Sequence, residues 1–318
     1  MHASGRIFQY KTQSQLFAHA WSLREDQQMR LAICSCDLEH KNFVEVIQFN
    51  KQSQQLLKLD SFNLQFPVTK AMFYPNYQTS NQDLLICAND MLRIFSINQD
   101  QRKQKLTQKS FLRHEKRRQA PVTAFDWSTI QPHLVIQSSY DTAISLWDIN
   151  REELEFTFQA HEKSINDVSF SPADPSIFAS CASDGTVRVF DRRKIEISQQ
   201  ITQLDNQALR VQFNKFDPHQ LAIISNNNNQ IHIYDLRNVQ HVLNLEKHEK
   251  EVNGIAWNPT CANQLLSVGE DGNALIWEGG KAIMGYNCGE PADNCGWSEL
   301  NKEWCSLIHG DILEILHV

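Results

Sequence analysis

Apolar and polar residues alternate with a period of two through most of this chain, in short runs separated by Gly, Pro, Asn and Asp. The stretch Gln137–Asp148, QSSYDTAISLWD, holds two such runs about a tight turn at Tyr140–Thr142 and ends in Trp147-Asp148. The phrase returns as SCASDGTVRVFD (Ser180–Asp191), ISNNNNQIHIYD (Ile224–Asp235) and SVGEDGNALIWE (Ser267–Glu278). The closing aromatics Trp147, Phe190, Tyr234 and Trp277 stand 43, 44 and 43 residues apart. Alternation of this kind predicts half-buried β-strands, and a fixed period predicts one supersecondary unit repeated along the chain.

A period in this range with a Trp-Asp ending is the mark of a WD-repeat β-propeller. The reading is all-β: a seven-bladed WD-repeat β-propeller in one domain, 1–318. The blades fall at about 17–49, 68–97, 121–149, 164–191, 208–235, 251–278 and 293–318. Each later first strand stops at a turn led by Pro or Asp, such as Ser171-Pro172 and Asn258-Pro259, because Pro fixes φ and cannot donate to a ladder. The last unit runs out within its third strand. A strand at 6–13 is therefore expected to pair with the last blade and close the ring, leaving no open edge. Six blades remain if either end unit is not a blade.

Between Phe95 and Trp147 the rhythm breaks, with a gap of 52. The segment Gln99–Gln119 carries eight Lys or Arg against Asp100 and Glu115 and is read as a basic insert loop. A solvated connection and a docking loop for an acidic partner segment both fit. Nucleic acid fits least, because aromatics for base stacking are nearly absent from it.

Composition narrows the function classes. Net charge is −7, against a general polyanion-binding role and direct nucleic-acid contact. No run of 18 apolar residues and no signal-like h-region is present, so no membrane span is expected. The eight cysteines lack zinc-ligand spacing, and Cys34, Cys87 and Cys181 sit in apolar runs as buried free thiols of a reducing compartment. No phosphate-binding loop, metal motif or nucleophile elbow occurs, so no cofactor, metal or catalytic residue is assigned.

One constellation imitates an active site. His248, Ser267, Asp271 and Trp277 make a Ser-His-Asp set beside an indole. His161, Ser180 and Asp184 repeat it with Phe190 in place of Trp, and Asp141 with Trp147 keeps half of it with no loop His. Catalytic triads are single constellations, whereas a set that recurs at fixed strand positions satisfies buried polar groups. These residues are read as a structural network. Recognition is placed instead on rim residues one before each turn acid, Tyr140, Ser183, Asn227 and Glu270, with Lys163 and Lys250 in neighbouring loops. Tyr140 is the leading anchor, since Tyr favours interfaces.

Several segments carry a closer resemblance: AHAWSLREDQQMRLAICSC (Ala18–Cys36), PVTKAMFYP (Pro67–Pro75), VTAFDWSTIQPHL (Val122–Leu134), FASCASDGTVRVFDRRKIE (Phe178–Glu196), NKFDPHQLA (Asn214–Ala222), VNGIAWNP (Val252–Pro259) and LEILHV (Leu313–Val318). The chain resembles the small WD-repeat adaptor family of plant Transparent Testa Glabra and its animal cullin-ligase-associated and kinase-scaffold relatives. That resemblance implies a non-enzymatic scaffold of cytoplasm and nucleus. Its partners would be dual-specificity tyrosine-regulated kinases, transcription factors, or a cullin-ligase adaptor reached through a Trp-Asp-x-Arg ending. Here the matching positions are Asp191 with Arg193 and Asp235 with Arg237, preceded by Phe190 and Tyr234 rather than Trp. A substrate receptor of a cullin-RING ligase and a fixed subunit of a larger assembly stand as alternatives.

Overall fold

A computed structural model describes residues 6–38, 41–75, 82–100, 103–114 and 120–318. The chain begins with β1 (Ile7–Lys11) and then builds seven four-stranded antiparallel sheets in sequence order. Blade one is β2 (Leu16–Trp21), β3 (Arg30–Ser35), β4 (Asn42–Asn50) and β5 (Gln55–Leu64); blade two is β6 (Lys70–Phe73), β7 (Leu84–Ala88), β8 (Leu92–Asp100) and β9 (Lys103–Leu112). Blade three is β10 (Val122–Trp127), β11 (Leu134–Ser139), β12 (Ala143–Asp148) and β13 (Glu153–Gln159); blade four is β14 (Ile165–Phe170), β15 (Ile177–Ala182), β16 (Thr186–Asp191) and β17 (Ser198–Gln203). Blade five is β18 (Ala208–Phe213), β19 (Gln220–Ser225), β20 (Gln230–Asp235) and β21 (Asn238–Glu246); blade six is β22 (Val252–Trp257), β23 (Gln264–Gly269), β24 (Asn273–Glu278) and β25 (Lys281–Asn287). Blade seven is β26 (Asn294–Trp297), β27 (Trp304–His309) and β28 (Ile312–His317), completed by β1.

The closure expected from the sequence is present. β1 pairs antiparallel with β28, from Ile7 opposite Leu316 to Lys11 opposite Ile312, so the first strand of the chain is the outer strand of the last blade. No helix is long and apolar enough to cross a membrane among the described residues.

Second strands are buried along their length, as in β3, β7 and β11, because both faces of each sheet meet a neighbour. Accordingly the core is divided into seven apolar clusters, each joining two adjacent blades. Ile136 and Leu146 of blade three, for example, pack on Val168, Phe178 and Phe190 of blade four. Blades one and two share a further joint. Arg30 is fully buried, forks onto Asp83 with two 2.7 Å bonds, donates to Ser22 at 2.9 Å and lies 5.1 Å from the Phe73 ring centroid. Inner strands are tied by polar side chains too: Asn166 donates to Ala208 O at 2.7 Å, Asn253 to Ala292 O at 3.1 Å, and Asn294 of blade seven to Phe17 O of blade one at 3.1 Å.

Two expectations change here. The basic segment 99–119 is not a loop through its described part: it ends β8 and forms β9, the outer strand of blade two. The alternation Lys105, Thr107 is a strand whose polar side faces water, and Leu106 is the buried member. Residues 101–102 and 115–119 of that segment lie outside the described residues. The long gap therefore holds a fourth strand, and the other blades carry corresponding outer strands beyond the stretches read from the sequence.

Candidate functional site

Antiparallel meander topology sorts every turn to one of two ends of the ring. The upper end holds the blade-to-blade connections and the turn between second and third strands. The lower end holds the first and third turns of each blade. This sorting places the candidate residues.

The polar network lies at the upper end of blade six, as a closed chain of hydrogen bonds. Asp271 accepts from His248 Nδ1 at 3.0 Å, and from the backbone N–H groups of Glu249 and Asn273 at 3.0 Å each. His248 Nε2 lies 2.7 Å from Ser267 Oγ, which also accepts Trp277 Nε1–H at 2.8 Å. With Nδ1–H donating to the carboxylate, the hydroxyl proton goes to Nε2. The serine is fully buried, donates its O–H to the imidazole and accepts the indole N–H, so it presents no exposed nucleophile. Blade four repeats the arrangement with a difference. His161 Nε2 meets Ser180 Oγ at 2.7 Å, and Nδ1 meets Thr186 Oγ1 at 2.8 Å, which in turn donates to Asp184 at 2.6 Å. Phe190 stands edge-on to the imidazole, 6.5 Å between centroids.

Burial pushes His161 down to about 4, although Asp184 pulls the other way. His248 is lowered for the same reason against Asp271. Burial by itself would raise Asp184, but bonds from Thr186 and from the Glu162 N–H overcome it and hold the carboxyl below its usual range. Both imidazoles are neutral partners of ionised carboxylates, which is a structural arrangement rather than a poised general base.

Blade three departs from the expectation that it lacks a histidine. His114, supplied by the chain just after β9, reaches Ser145 Oγ at 3.0 Å and stands edge-on to Trp147 at 5.2 Å. The Trp147 indole donates instead to Gln137 at 3.0 Å, and Asp141 caps its own turn through Ala143 N at 3.4 Å. A junction unforeseen in the sequence joins the ends of the ring: His19 and Trp21 of blade one converge on Ser306 of blade seven at 2.7 and 2.8 Å. The alternation His19-Ala20-Trp21 shows that both side chains share a face; the partner 285 residues away is invisible to it.

Among the rim candidates, the upper end holds all six. Tyr140 is 66% exposed, and Lys163, Asn227 and Lys250 also face solvent. Ser183 and Glu270 are partly withdrawn: Ser183 is bonded to Ser164 and Asn166, and Glu270 accepts from Asn253 at 3.1 Å. Asp191, Arg193, Asp235 and Arg237 lie at the lower end. Arg193 grips Asp191 at 2.7 Å and Asp174 at 3.2 Å; Arg237 grips Asp235 at 2.6 Å and Asp217 at 3.4 Å. The Arg237 fork holds the Asp235 carboxyl down at about 2. Both arginine side chains stay more than half exposed, so each is aimed by two carboxylates while remaining accessible. A third such arginine was missed because its offset differs. Arg151 meets Asp148 at 2.9 Å from three residues on rather than two.

Below the ring centre opens a cavity of about 460 Å³, lined by one aromatic per blade: Trp21, Phe73, Trp127, Phe170, Phe213, Trp257 and Trp297. Lys70 crosses it to Asp167 at 3.1 Å. No cluster of metal-ligating side chains occurs among the described residues.

Comparison with known proteins agrees with this architecture. The WD domain, G-beta repeat model matches residues 152–191 and 239–278. The chain is 32% identical to the DDB1- and CUL4-associated factor 7 homologue of Dictyostelium discoideum, over 98% of this chain and 99% of that protein. It is 29% identical to a WD repeat-containing protein of Saccharomyces cerevisiae, over 88% of this chain and 60% of that one. The E3 ubiquitin-protein ligase COP1 of Arabidopsis thaliana matches at 25% over 49% of this chain and 23% of its own length.

Proposed function

The chain belongs to the WD-repeat family of the DDB1- and CUL4-associated factor 7 homologue, and from that premise we propose that it is a non-enzymatic adaptor joining two proteins through opposite ends of the ring. The lower end would take a cullin-ligase adaptor of the DDB1 type. The upper end would take the client, a protein kinase of the dual-specificity tyrosine-regulated type or a transcription regulator. The observation that carries this reading is the separation of the candidates. The exposed Asp-Arg pairs, held by Asp174 and Asp217, sit at the lower end, whereas Tyr140 and Lys163 sit at the upper. A rigid closed body with loops at both ends is suited to binding two partners at once.

Calorimetric titration of the purified chain with the DDB1-type subunit of the same organism tests the lower end. Binding that Arg193→Ala with Arg237→Ala weakens at least tenfold supports the ligase reading. Binding unchanged by that pair, or absent, removes it. Affinity purification followed by mass spectrometry then separates a client adaptor from a fixed subunit: kinases or regulators support the first, and a salt-resistant stoichiometric particle supports the second.

A further inference from the structure

The upper end of the ring is chemically divided. Leu38 is 91% exposed, Phe66 43%, Phe111 48% and Tyr140 66%. All four lie at the upper end, and all belong to blades one to three. Among the described residues the other exposed large apolar side chains are elsewhere: Ile130, Ile197 and Phe216 lie on lower turns, and Ile7, Leu57, Leu243 and Ile283 on outer strands.

Backbone bonds show that the four lie along one arc. The turn bearing Leu38 follows Ser35, whose carbonyl accepts Val68 N–H, two residues after Phe66. Thr69 N bonds Ala88 O, and Val122 N bonds Asn89 O. Pro121 O then accepts Tyr140 N–H, while Phe111 pairs with Arg93 at the upper end of blade two. The arc thus runs without a break from Leu38 to Tyr140.

Charge along this arc is basic. Lys41, Lys109 and Arg113 are exposed and make no ion pair among the described residues. The neighbouring carboxylates are engaged: Asp90 is held by Arg93 at 3.1 Å, and Asp141 accepts from its own turn. The upper connections of blades four to six are mixed instead: Glu162, Asp205 and Glu249 stand with Lys163, Lys247 and Lys250, all exposed. In a chain of net charge −7, an apolar arc with exposed cations that make no ion pair among the described residues, beside connections of mixed charge, is a directional surface.

We propose that the upper arc of blades one to three docks an extended acidic segment of a partner protein that carries bulky apolar side chains. Its apolar residues cover Phe66, Phe111 and Tyr140. Its carboxylates meet Lys41, Lys109 and Arg113. This rests on the reading of the upper end as the client side, and it names the client's chemistry.

The test is peptide display. A random twelve-residue library is selected on the immobilised full chain, and the recovered peptides are measured by fluorescence anisotropy. Expected are peptides combining Asp or Glu with aromatic or aliphatic residues, binding more weakly as salt rises. Their affinity should fall at least tenfold with Phe111→Ser plus Tyr140→Ser, and separately with Lys41→Glu plus Arg113→Glu. Asp205→Lys plus Glu249→Lys should leave it unchanged or tighten it. Thermal melts confirm that each variant is folded. Recovery of basic or neutral peptides would overturn the inference, as would acidic peptides indifferent to both variant pairs. Displacement of the selected peptides by a single-stranded oligonucleotide at equal concentration would overturn it as well, since the arc would then be a polyanion site. The lower-end titration with the DDB1-type subunit is independent of every one of these outcomes, so failure here and failure of the adaptor reading are told apart.

Discussion

Replacing Asp271 by Ala tests the claim that the Ser-His-Asp set is architecture. The side chain is 3% exposed and accepts three hydrogen bonds, from His248 Nδ1 and from the Glu249 and Asn273 N–H groups, each at 3.0 Å. Its removal strands an imidazole N–H on a fully buried side chain and two turn amides. Each stranded group costs about 1–3 kcal/mol, and partial entry of water brings the expected sum to roughly 3–5 kcal/mol. At about 2–4 °C per kcal/mol, melting should fall by roughly 6–20 °C. Asn228 in blade five is the internal control. It holds Gln230 N–H at 3.0 Å and reaches Ser225 and His232 at 3.2 Å, but it is half-exposed and water can replace it. Asn228→Ala should therefore cost about 1 kcal/mol or less. Scanning calorimetry of the two variants beside the parent decides the matter. Equal melting shifts would refute the reasoning, because the network would then carry no more stability than an ordinary turn.

Acidification should destabilise the ring through its buried histidines. His19 and His161 are held at about 4 by burial, below the unfolded value of about 6.5. The unfolded chain thus binds more protons between those values. Stability is fully present above pH 6.5 and drains as pH falls toward 4, by up to about 3 kcal/mol per histidine; urea midpoints flat from pH 7 to 4.5 would contradict this. Asp83→Ala should cost about 3–5 kcal/mol by leaving Arg30 charged and unpaired in the core, and adding Arg30→Met should recover much of the loss. A chemical-denaturation cycle over the four proteins measures that coupling. Deleting residues 1–11 removes β1 and bares the edge of β28, so light scattering should report self-association; a monodisperse monomer as stable as the parent would contradict the closure argument.

The blade count, the strand-turn-strand phrases and the closing strand were legible because β-alternation and a period of 43–44 residues are local signals that repetition reinforces. The outer strands were less legible. β13 and β17 are largely solvent-facing, so their alternation is weak, and β9 is polar enough to pass for a loop. The missing histidine of blade three was overlooked because His114 comes from a segment of different length, although its imidazole stands over Trp147. The candidate rim residues were found by counting from the turn acid, yet counting cannot say that Ser183 and Glu270 spend their polar atoms on neighbours.

By itself the sequence determined the class of fold, the repeating unit and the identity of the His-Ser-Asp-Trp network, because each of these depends on residues close in the chain. Tertiary structure alone decided which residues of different blades meet. Arg30 finds Asp83 from 53 residues away, Ser306 collects His19 and Trp21 across the ring, and the Asp-Arg pairs turn away from Tyr140. The physical reason is that these contacts lie between blades, where the direction of a side chain depends on ring closure and not on the alternation within any one strand.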